Sequence, residues 1–209
     1  MAKKYEILKD ESIMVGDIKL CRIRALKDFG EVKTGELGGF SQSEDNLSHD
    51  GEAWVHKDAK VYDNAKVYGN AHVYDNALIY GEAQVFGKAH VLGNAQIKDN
   101  ARVYGNAGVE GDAKVYGNAQ VSGLAYVREK AQVYGNAKVH GDALVCGEAL
   151  VKDDAQVYGN ACVYGEALVS GNAQVYDNAR VCGNERIVND IKSLLHKMKK
   201  SLKSIFHVN

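Results

Sequence analysis

The sequence of 209 residues contains no proline and only one tryptophan. The absence of proline excludes a proline-rich disordered chain. Neither sign of charge predominates, because 26 Lys and Arg residues oppose 27 Asp and Glu residues for a formal net charge of −1. This balance argues against a nucleic-acid-binding protein, which normally has a basic excess. No apolar run approaches the roughly 20 residues needed to span a bilayer, so no membrane partner is expected.

The sequence also lacks signals for secretion and for metal binding by cysteine. Residues 1–6 have none of the apolar character of a signal peptide, and a cytoplasmic location is therefore expected. Four cysteines are present, without a CxxC pair or zinc-finger spacing: Cys21, Cys146, Cys162 and Cys182. We interpret them as free thiols in a reducing compartment.

A six-residue repeat dominates what the sequence does contain. Twenty-two hexads of the pattern Ala-x-Val-x-Gly-Asn run without insertion or deletion from Ala53 to Asn184. The first residue is always Ala, and the third is Val except at Ile79 and Ile97. Alternation predicts a short strand over the first four residues, with the first and third side chains on one side. The Gly, Asp or Asn residues that follow tolerate left-handed backbone, which predicts a sharp corner.

Three strands and three corners close a triangular coil of 18 residues, and successive coils stack at the strand spacing of about 4.8 Å. The predicted fold class is therefore all-β, a parallel β-helix of about seven coils over residues 53–188. An interior filled by Ala, Val and Ile leaves no room for a ligand, and no cofactor is expected. Any function must then lie on the outer faces or at the ends.

The repeat resembles that of left-handed parallel β-helices, the fold of the hexapeptide acyltransferases. Val67 and, two positions before it, Ala65 are one example of the inward pair. The resemblance covers roughly two thirds of the chain and implies a left-handed coil. Residues 38–40 and 46–55 also resemble phage and bacterial repeat proteins that are often labelled acyltransferases or polymer-forming proteins.

Residues 1–52 and 189–209 do not follow the repeat. In the first segment, residues 12–15 and 18–24 flank Gly16-Asp17, which predicts a β-hairpin with a two-residue turn. Residues 34–50 are expected to form a loop that leads into the first coil. The segment is predicted to cover the open N-terminal end of the repeat, since exposed strand edges invite aggregation. An activity located in this segment is left open.

The C-terminal segment has a helical period. Apolar residues recur there at spacings of three and four: Val188, Ile191, Leu195, Met198, Leu202 and Ile205. This pattern predicts an amphipathic α-helix that either covers the last coil or mediates assembly.

The residue after each Val points outward, and the 18-residue period sorts these residues into three columns, one for each face. The first face carries Tyr62, Tyr80, Lys98, Tyr116, Tyr134, Lys152 and Ser170. The second carries Tyr68, Phe86, Tyr104, Ser122, His140, Tyr158 and Tyr176. The third carries His56, Tyr74, Leu92, Glu110, Arg128, Cys146, Tyr164 and Cys182. Stacked aromatic rings are expected to stabilise the sheet with their hydroxyls in water, and a binding face is the alternative.

Two sets of residues on the third face are candidate binding sites. Near the C-terminal end lies an apolar set: Leu144, Cys146, Cys162, Tyr164 and Cys182. An apolar patch of this kind is usually covered, which predicts self-association into a homo-oligomer. Near the other end lies a second set: Trp54, His56, His72 and His90. Its imidazoles, without a carboxylate column beside them, make a poor metal site and are interpreted as polar surface.

The leading hypothesis is a non-catalytic binding or scaffold protein that presents its faces to a protein partner. One alternative is an acyltransferase, for which the resemblance implies a catalytic His near a loop that projects from a coil. No such loop interrupts the repeat, so no catalytic residue is assigned. The other alternative is a phage-encoded inhibitor of a host defence protein.

Overall fold

The computed structural model describes residues 3–188, which form an all-β solenoid of about eight turns. The second and third residues of every hexad form a strand of two or three residues, shorter than the predicted four. Each strand pairs in parallel with the strand one turn later, as Lys66–Val67 does with Gln84–Val85. Along this ladder the amide of Lys66 donates to the carbonyl of Ala83 at 2.8 Å. The predicted fold class is confirmed for the described residues.

Three sheets form the three faces of the prism, with 11, 7 and 8 strands on the first, second and third face. The first face contains Tyr5–Val15, Ile18–Ala25, Leu37–Ser41, Lys60–Val61, Leu78–Ile79, Gln96–Ile97, Lys114–Val115, Gln132–Val133, Leu150–Val151, Leu168–Ser170 and Arg186–Val188. The second contains Lys66–Val67, Gln84–Val85, Arg102–Val103, Gln120–Val121, Lys138–Val139, Gln156–Val157 and Gln174–Val175. The third contains Trp54–Val55, His72–Val73, His90–Val91, Gly108–Val109, Tyr126–Val127, Leu144–Val145, Cys162–Val163 and Arg180–Val181.

The interior of the prism is filled by the first and third residues of the hexads, as the alternation predicts. Val109 and Ala107 are fully buried, and nearly every equivalent residue matches them. Burial of each Val contributes roughly 1.5 kcal/mol or more before the entropy of ordering the chain is subtracted. The interior is therefore solid, and function lies outside it.

The corners depend on residues that tolerate positive φ. Gly105 has φ of 74°, and a Cβ there would lie 3.0 Å from the backbone nitrogen of Gly123 in the next coil. Where Asp replaces Gly, its side chain joins the coils instead. The carboxylate of Asp99 accepts a hydrogen bond from the amide of Gly117 at 3.0 Å. These contacts fasten each turn to the next and make the prism rigid.

The N-terminal segment begins with the predicted hairpin. Strand β1 (Tyr5–Val15) pairs antiparallel with β2 (Ile18–Ala25), and Val15 lies opposite Ile18. The hairpin is confirmed, but β1 extends to Tyr5 and contains a bulge between Leu8 and Ser12.

The expectation of a loop over residues 34–50 was wrong in part. Strand β3 (Leu37–Ser41) pairs antiparallel with β2 and in parallel with Lys60–Val61. Gly39 occupies the position that Ala has in a hexad. Only glycine fits there, because a Cβ would lie 2.4 Å from the carbonyl oxygen of Ala59. A short 3-10 helix follows at Glu44–Asn46. Coil-like pairing therefore begins before the repeat is visible in the sequence.

The N-terminal segment covers the first coil, and its buried side chains continue the core of the prism. Trp54 is fully buried there and makes edge contacts with Phe29 at 5.4 Å and Tyr5 at 6.2 Å between ring centroids. The buried ammonium of Lys4 donates to the carbonyl of Ala53 at 2.9 Å, and burial lowers the pKa of Lys4 to about 8. The segment thus satisfies backbone groups at the end of the prism. Val188, the first residue of the predicted helical pattern, instead ends the strand Arg186–Val188. Residues 189–209 lie outside the described residues, so the amphipathic helix stays a prediction there.

Candidate functional site

The second face carries a ladder of stacked aromatic rings. The ring of Phe86 lies between those of Tyr68 and Tyr104, with centroid distances of 4.8 Å and 5.0 Å. The guanidinium of Arg102 lies over Phe86 at 5.3 Å and over Tyr104 at 5.7 Å. The predicted stacking is confirmed on this face. Because the rings lie face to face, they present their edges to solvent.

The sequence predicts that the tyrosine hydroxyls of this ladder lie in water, but several of them bond to protein instead. Tyr68 donates to Oε1 of Gln84 at 3.2 Å. Equivalent bonds join Tyr104 to Gln120 and Tyr158 to Gln174 on the second face, and Tyr116 to Gln132 on the first. Each Tyr reaches the second residue of a hexad in the next coil, which brings the glutamine within hydrogen-bond distance. These side chains are engaged with one another, which favours a stabilising role over a binding role.

On the third face, the fourth-position column has stacked rings only in its first turns. The ring of His56 stacks on that of Tyr74 at 4.2 Å, and the fourth-position column then continues with Leu92, Glu110 and Arg128. No ring stack among residues 3–188 involves Tyr126 or Tyr164, and these side chains are 46% and 37% exposed. The third face therefore leaves these two rings unstacked and in contact with water.

The five residues of the predicted apolar set all lie on the third face. Leu144, Cys146, Cys162 and Cys182 are half-buried, and Tyr164 is exposed. All four cysteines of the chain are free thiols, as predicted. Burial raises the pKa of the Cys146 thiol, and a hydrogen bond with Arg128 partly opposes that effect. The cysteine thus behaves as a small apolar side chain in this set.

Tyr126 extends the apolar set toward the middle of the face, and sequence reasoning missed it. A Cβ at Gly108 would lie 2.5 Å from Cε1 of Tyr126, so the ring lies directly over the glycine. Beside it is a shallow depression of about 530 Å³, lined in part by Tyr74, Leu92 and Glu110. The signal was present in the sequence, because Tyr126 occupies the second position of a third-face hexad and also points outward.

The second candidate set forms a histidine cluster at the N-terminal end of the third face. Nε2 of His56 lies 3.1 Å from Nδ1 of His72, a hydrogen bond that requires a neutral imidazole as acceptor. The ring of His72 in turn stacks on that of His90 at 5.8 Å. Burial, followed by the neighbouring His72 and His90, lowers the pKa of His56 to about 4. Burial is also the main reason that the pKa of His72 is lowered.

Trp54 does not belong to this surface. Its position in the hexad points outward, but the N-terminal segment packs over it and leaves it fully buried. Its indole Nε1 makes no hydrogen bond to any residue of the described 3–188. Because tertiary packing overrides the outward position, Trp54 cannot contact a partner on the third face.

A cleft of about 310 Å³ lies over the histidine cluster. The sequence interpretation found no carboxylate beside the histidines, yet Glu31 and Glu52 line this cleft. Both carboxylates come from outside the periodic columns, so periodicity could not have placed them. Among residues 3–188, however, no group of three or more His, Cys, Asp or Glu side chains is arranged to hold a metal ion. Within the same range, no helix has the length and hydropathy required to cross a bilayer.

Comparison with known proteins supports the solenoid. Residues 95–111, 131–151, 155–172 and 173–187 match the YdcK beta solenoid repeat family. No curated protein matches the chain. Together, the matched repeats and the stacked coils define a parallel β-helix repeat protein. The match concerns the repeat and assigns no acyl transfer and no partner.

Proposed function

We propose that this protein is a rigid, non-catalytic scaffold that binds a protein partner through its third face, and that the partner is a second copy of the chain. The observation that carries the proposal is the exposed apolar surface that runs from Tyr126 to Tyr164 on that face. Contiguous apolar surface of this kind on a monomer usually marks an interaction site.

The other parts of the described prism offer less to a partner. The interior is solid, since its Ala and Val side chains are buried. On the second face the rings stack and the Tyr hydroxyls bond to Gln. At the N-terminal end, the hairpin and Trp54 already cover the first coil. The third face carries exposed Tyr126 and Tyr164 beside half-buried Leu144, so its association would bury apolar surface that the monomer leaves in water.

The rigidity of the platform also favours binding. Every turn is held by parallel backbone hydrogen bonds, and corner carboxylates such as that of Asp99 tie adjacent coils together. A surface built on such a frame has little conformational entropy to lose when it docks. We therefore expect association without rearrangement of the coils.

Sedimentation equilibrium over a range of concentrations tests the proposal. The wild-type mass should exceed the monomer mass of 22.7 kDa. Leu144→Lys places a charge in the third face and should return the chain to the monomer. Leu150→Lys is the matched control, because Leu150 is also half-buried and occupies the same hexad position on the first face. Circular dichroism should show that both variants keep the fold.

Two results would contradict the proposal. A wild-type chain that stays monomeric at all concentrations rules out self-association. An oligomer that Leu144→Lys and Leu150→Lys weaken equally would show that the third face is not the contact surface.

A further inference from the structure

Two opposite charges lie at the centre of the third face. This face has eight strands, of which Gly108–Val109 is the fourth and Tyr126–Val127 the fifth. Glu110 follows the fourth strand and Arg128 follows the fifth, so they are neighbours in one outward column. The remaining fourth-position residues of the column carry no acidic or basic chain other than His56. The pair therefore marks the midpoint of the face.

Neither charge is neutralised within the described part of the chain. Arg128 is exposed and Glu110 is half-buried, and none of the ion pairs among residues 3–188 includes either side chain. In contrast, Lys130 and Glu148 on the neighbouring corner form an ion pair at 2.8 Å. Arg128 hydrogen-bonds Cys146, but a guanidinium has five N–H donors and this one is exposed, so it can still pair with a carboxylate of a partner. Neither central charge has an ionic partner among the described residues, and their arrangement constrains how a partner can lie.

We infer that two copies associate through their third faces as an antiparallel dimer, with the two-fold axis lying in the interface between the coils of Glu110 and Arg128. The inference rests on the proposed self-association and adds its orientation and register. A two-fold interface is reciprocal, so every contact between two different residues occurs twice. Glu110 then faces Arg128 of the partner subunit, and Arg128 faces Glu110 of the partner subunit.

In the fourth-position column, the same axis also matches apolar residues with apolar residues. Counting outward from the axis along the column, Leu92 lies opposite Cys146 and Tyr74 lies opposite Tyr164. The depression beside Leu92 on one half of the face thus meets the apolar set on the other half. The dimer thus covers the column from Tyr74 to Tyr164 on both subunits, while the N-terminal segment of each subunit covers its own Trp54.

Other registers conflict with the charges. An axis through the coil of Glu110 would set Glu110 against its own copy, and an axis through the coil of Arg128 would set Arg128 against its own copy. Like charges that face each other across an interface disfavour association. In a parallel dimer the fourth-position column would face the second-position column, where Gly108 and Tyr126 offer Glu110 and Arg128 no opposite charge. The antiparallel register between the two coils avoids each conflict.

Charge reversal tests the register directly. Glu110→Arg and Arg128→Glu should each weaken self-association by about tenfold or more, because each places like charges together at the axis. The double variant should recover the wild-type dissociation constant to within about twofold. Lys114→Glu reverses an exposed charge on the first face and is the matched control, expected to change nothing.

Mixing the two single variants provides the sharpest result. One subunit then carries two cations at the axis and the other carries two anions, so the heterodimer should form more tightly than either homodimer. Sedimentation equilibrium or native mass spectrometry would measure this preference.

The outcomes separate this inference from the proposed function. If the wild-type chain dimerises but the single reversals have no effect, or the mixture shows no preference for the heterodimer, the antiparallel register is wrong and self-association stands. If the wild-type chain is monomeric at every concentration, self-association and this register fail together.

Discussion

The second and third faces share the same backbone and the same hexad positions, yet their side chains do opposite things. On the second face Phe86 is held between two rings, and Tyr104 donates to Gln120. On the third face Tyr126 and Leu144 have no ring stack and remain in contact with solvent. The parallel ladder of amides and carbonyls supports both faces equally well. The outward columns are therefore free to differ, one serving stability and the other, as we propose, association.

The energies involved favour this division. An aromatic pair contributes about 0.5–1.5 kcal/mol beyond the burial of its area, so a stacked column on the second face strengthens the monomer. A half-buried leucine such as Leu144 obtains only part of its burial energy until another surface covers it. We expect substitutions on the second face to change the stability of the monomer and those on the third face to change association.

The largest expected change in the free energy of unfolding comes from Trp54, which the N-terminal segment covers at one end of the third face. Trp54→Ala should lower the free energy of unfolding by about 3–5 kcal/mol, because it empties a buried site between Phe29 and Tyr5. Tyr126→Ala is the matched control, since it removes an exposed ring from the same outward column. Urea denaturation of dilute protein should show a loss of about 1 kcal/mol or less for the control. Equal losses would mean that the N-terminal segment does not cover Trp54 in solution.

The ladder itself should produce the next largest effect. Phe86→Ala removes ring contacts with both Tyr68 and Tyr104 and should lower the free energy of unfolding by about 1–3 kcal/mol. Leu92→Ala on the third face removes a half-buried side chain with no such contacts and should have a smaller effect on the monomer. In sedimentation experiments the order should reverse, with Leu92→Ala weakening the dimer more than Phe86→Ala. The division between the faces is wrong if Phe86→Ala alters dimerisation as strongly as Leu92→Ala.

Periodicity explains why so much of this architecture could be predicted. The alternation of Ala and Val assigns the interior, and the 18-residue period places Tyr68 beside Phe86 without any knowledge of the coordinates. The same register, applied to second positions, would also have identified Tyr126 as an exposed neighbour of Gly108. These features follow from local rules that repeat along the chain.

Contacts that occur only once, outside the repeat, cannot be predicted from periodicity. Gly39 replaces a repeat Ala without the surrounding pattern, so the strand Leu37–Ser41 was taken for a loop. Glu31 reaches the histidine cleft from the nonrepeating N-terminal segment. The burial of Trp54 likewise depends on residues far from it in sequence. In each case tertiary packing outside the period decides the outcome.

The next largest effect should be a loss of stability at acidic pH that comes from the histidine cluster of the third face. Because the pKa of His56 is lowered to about 4 in the folded chain, the unfolded chain takes up protons first as the pH falls below about 6.5. The free energy of unfolding should therefore fall between those pH values, by about 1 kcal/mol at pH 5 after solvent screening of the partly exposed ring. Glu31 and Glu52 oppose this trend, because they raise the pKa of the adjacent His72.

His56→Gln should reduce that loss of stability, as measured by urea denaturation at about pH 7 and pH 5. His140→Gln, on the second face, is the matched control. The pKa of His140 is also lowered by burial, but His140 stacks on Tyr158 and has no histidine neighbour among residues 3–188. The control should change the pH dependence less. If the two variants changed it equally, the contacts within the histidine cluster would not be its source.

The smallest expected effect concerns a single hydroxyl. Tyr104→Phe keeps the ring in the ladder but removes the hydrogen bond to Gln120, and should lower the free energy of unfolding by about 0.5–1 kcal/mol. Tyr126→Phe is the third-face control, because within residues 3–188 its hydroxyl has no hydrogen-bond partner. Its stability should match that of the wild-type chain in the same urea titration. If Tyr104→Phe were neutral as well, stacking alone would account for the second-face ladder, and the glutamines would be replaceable without loss of stability.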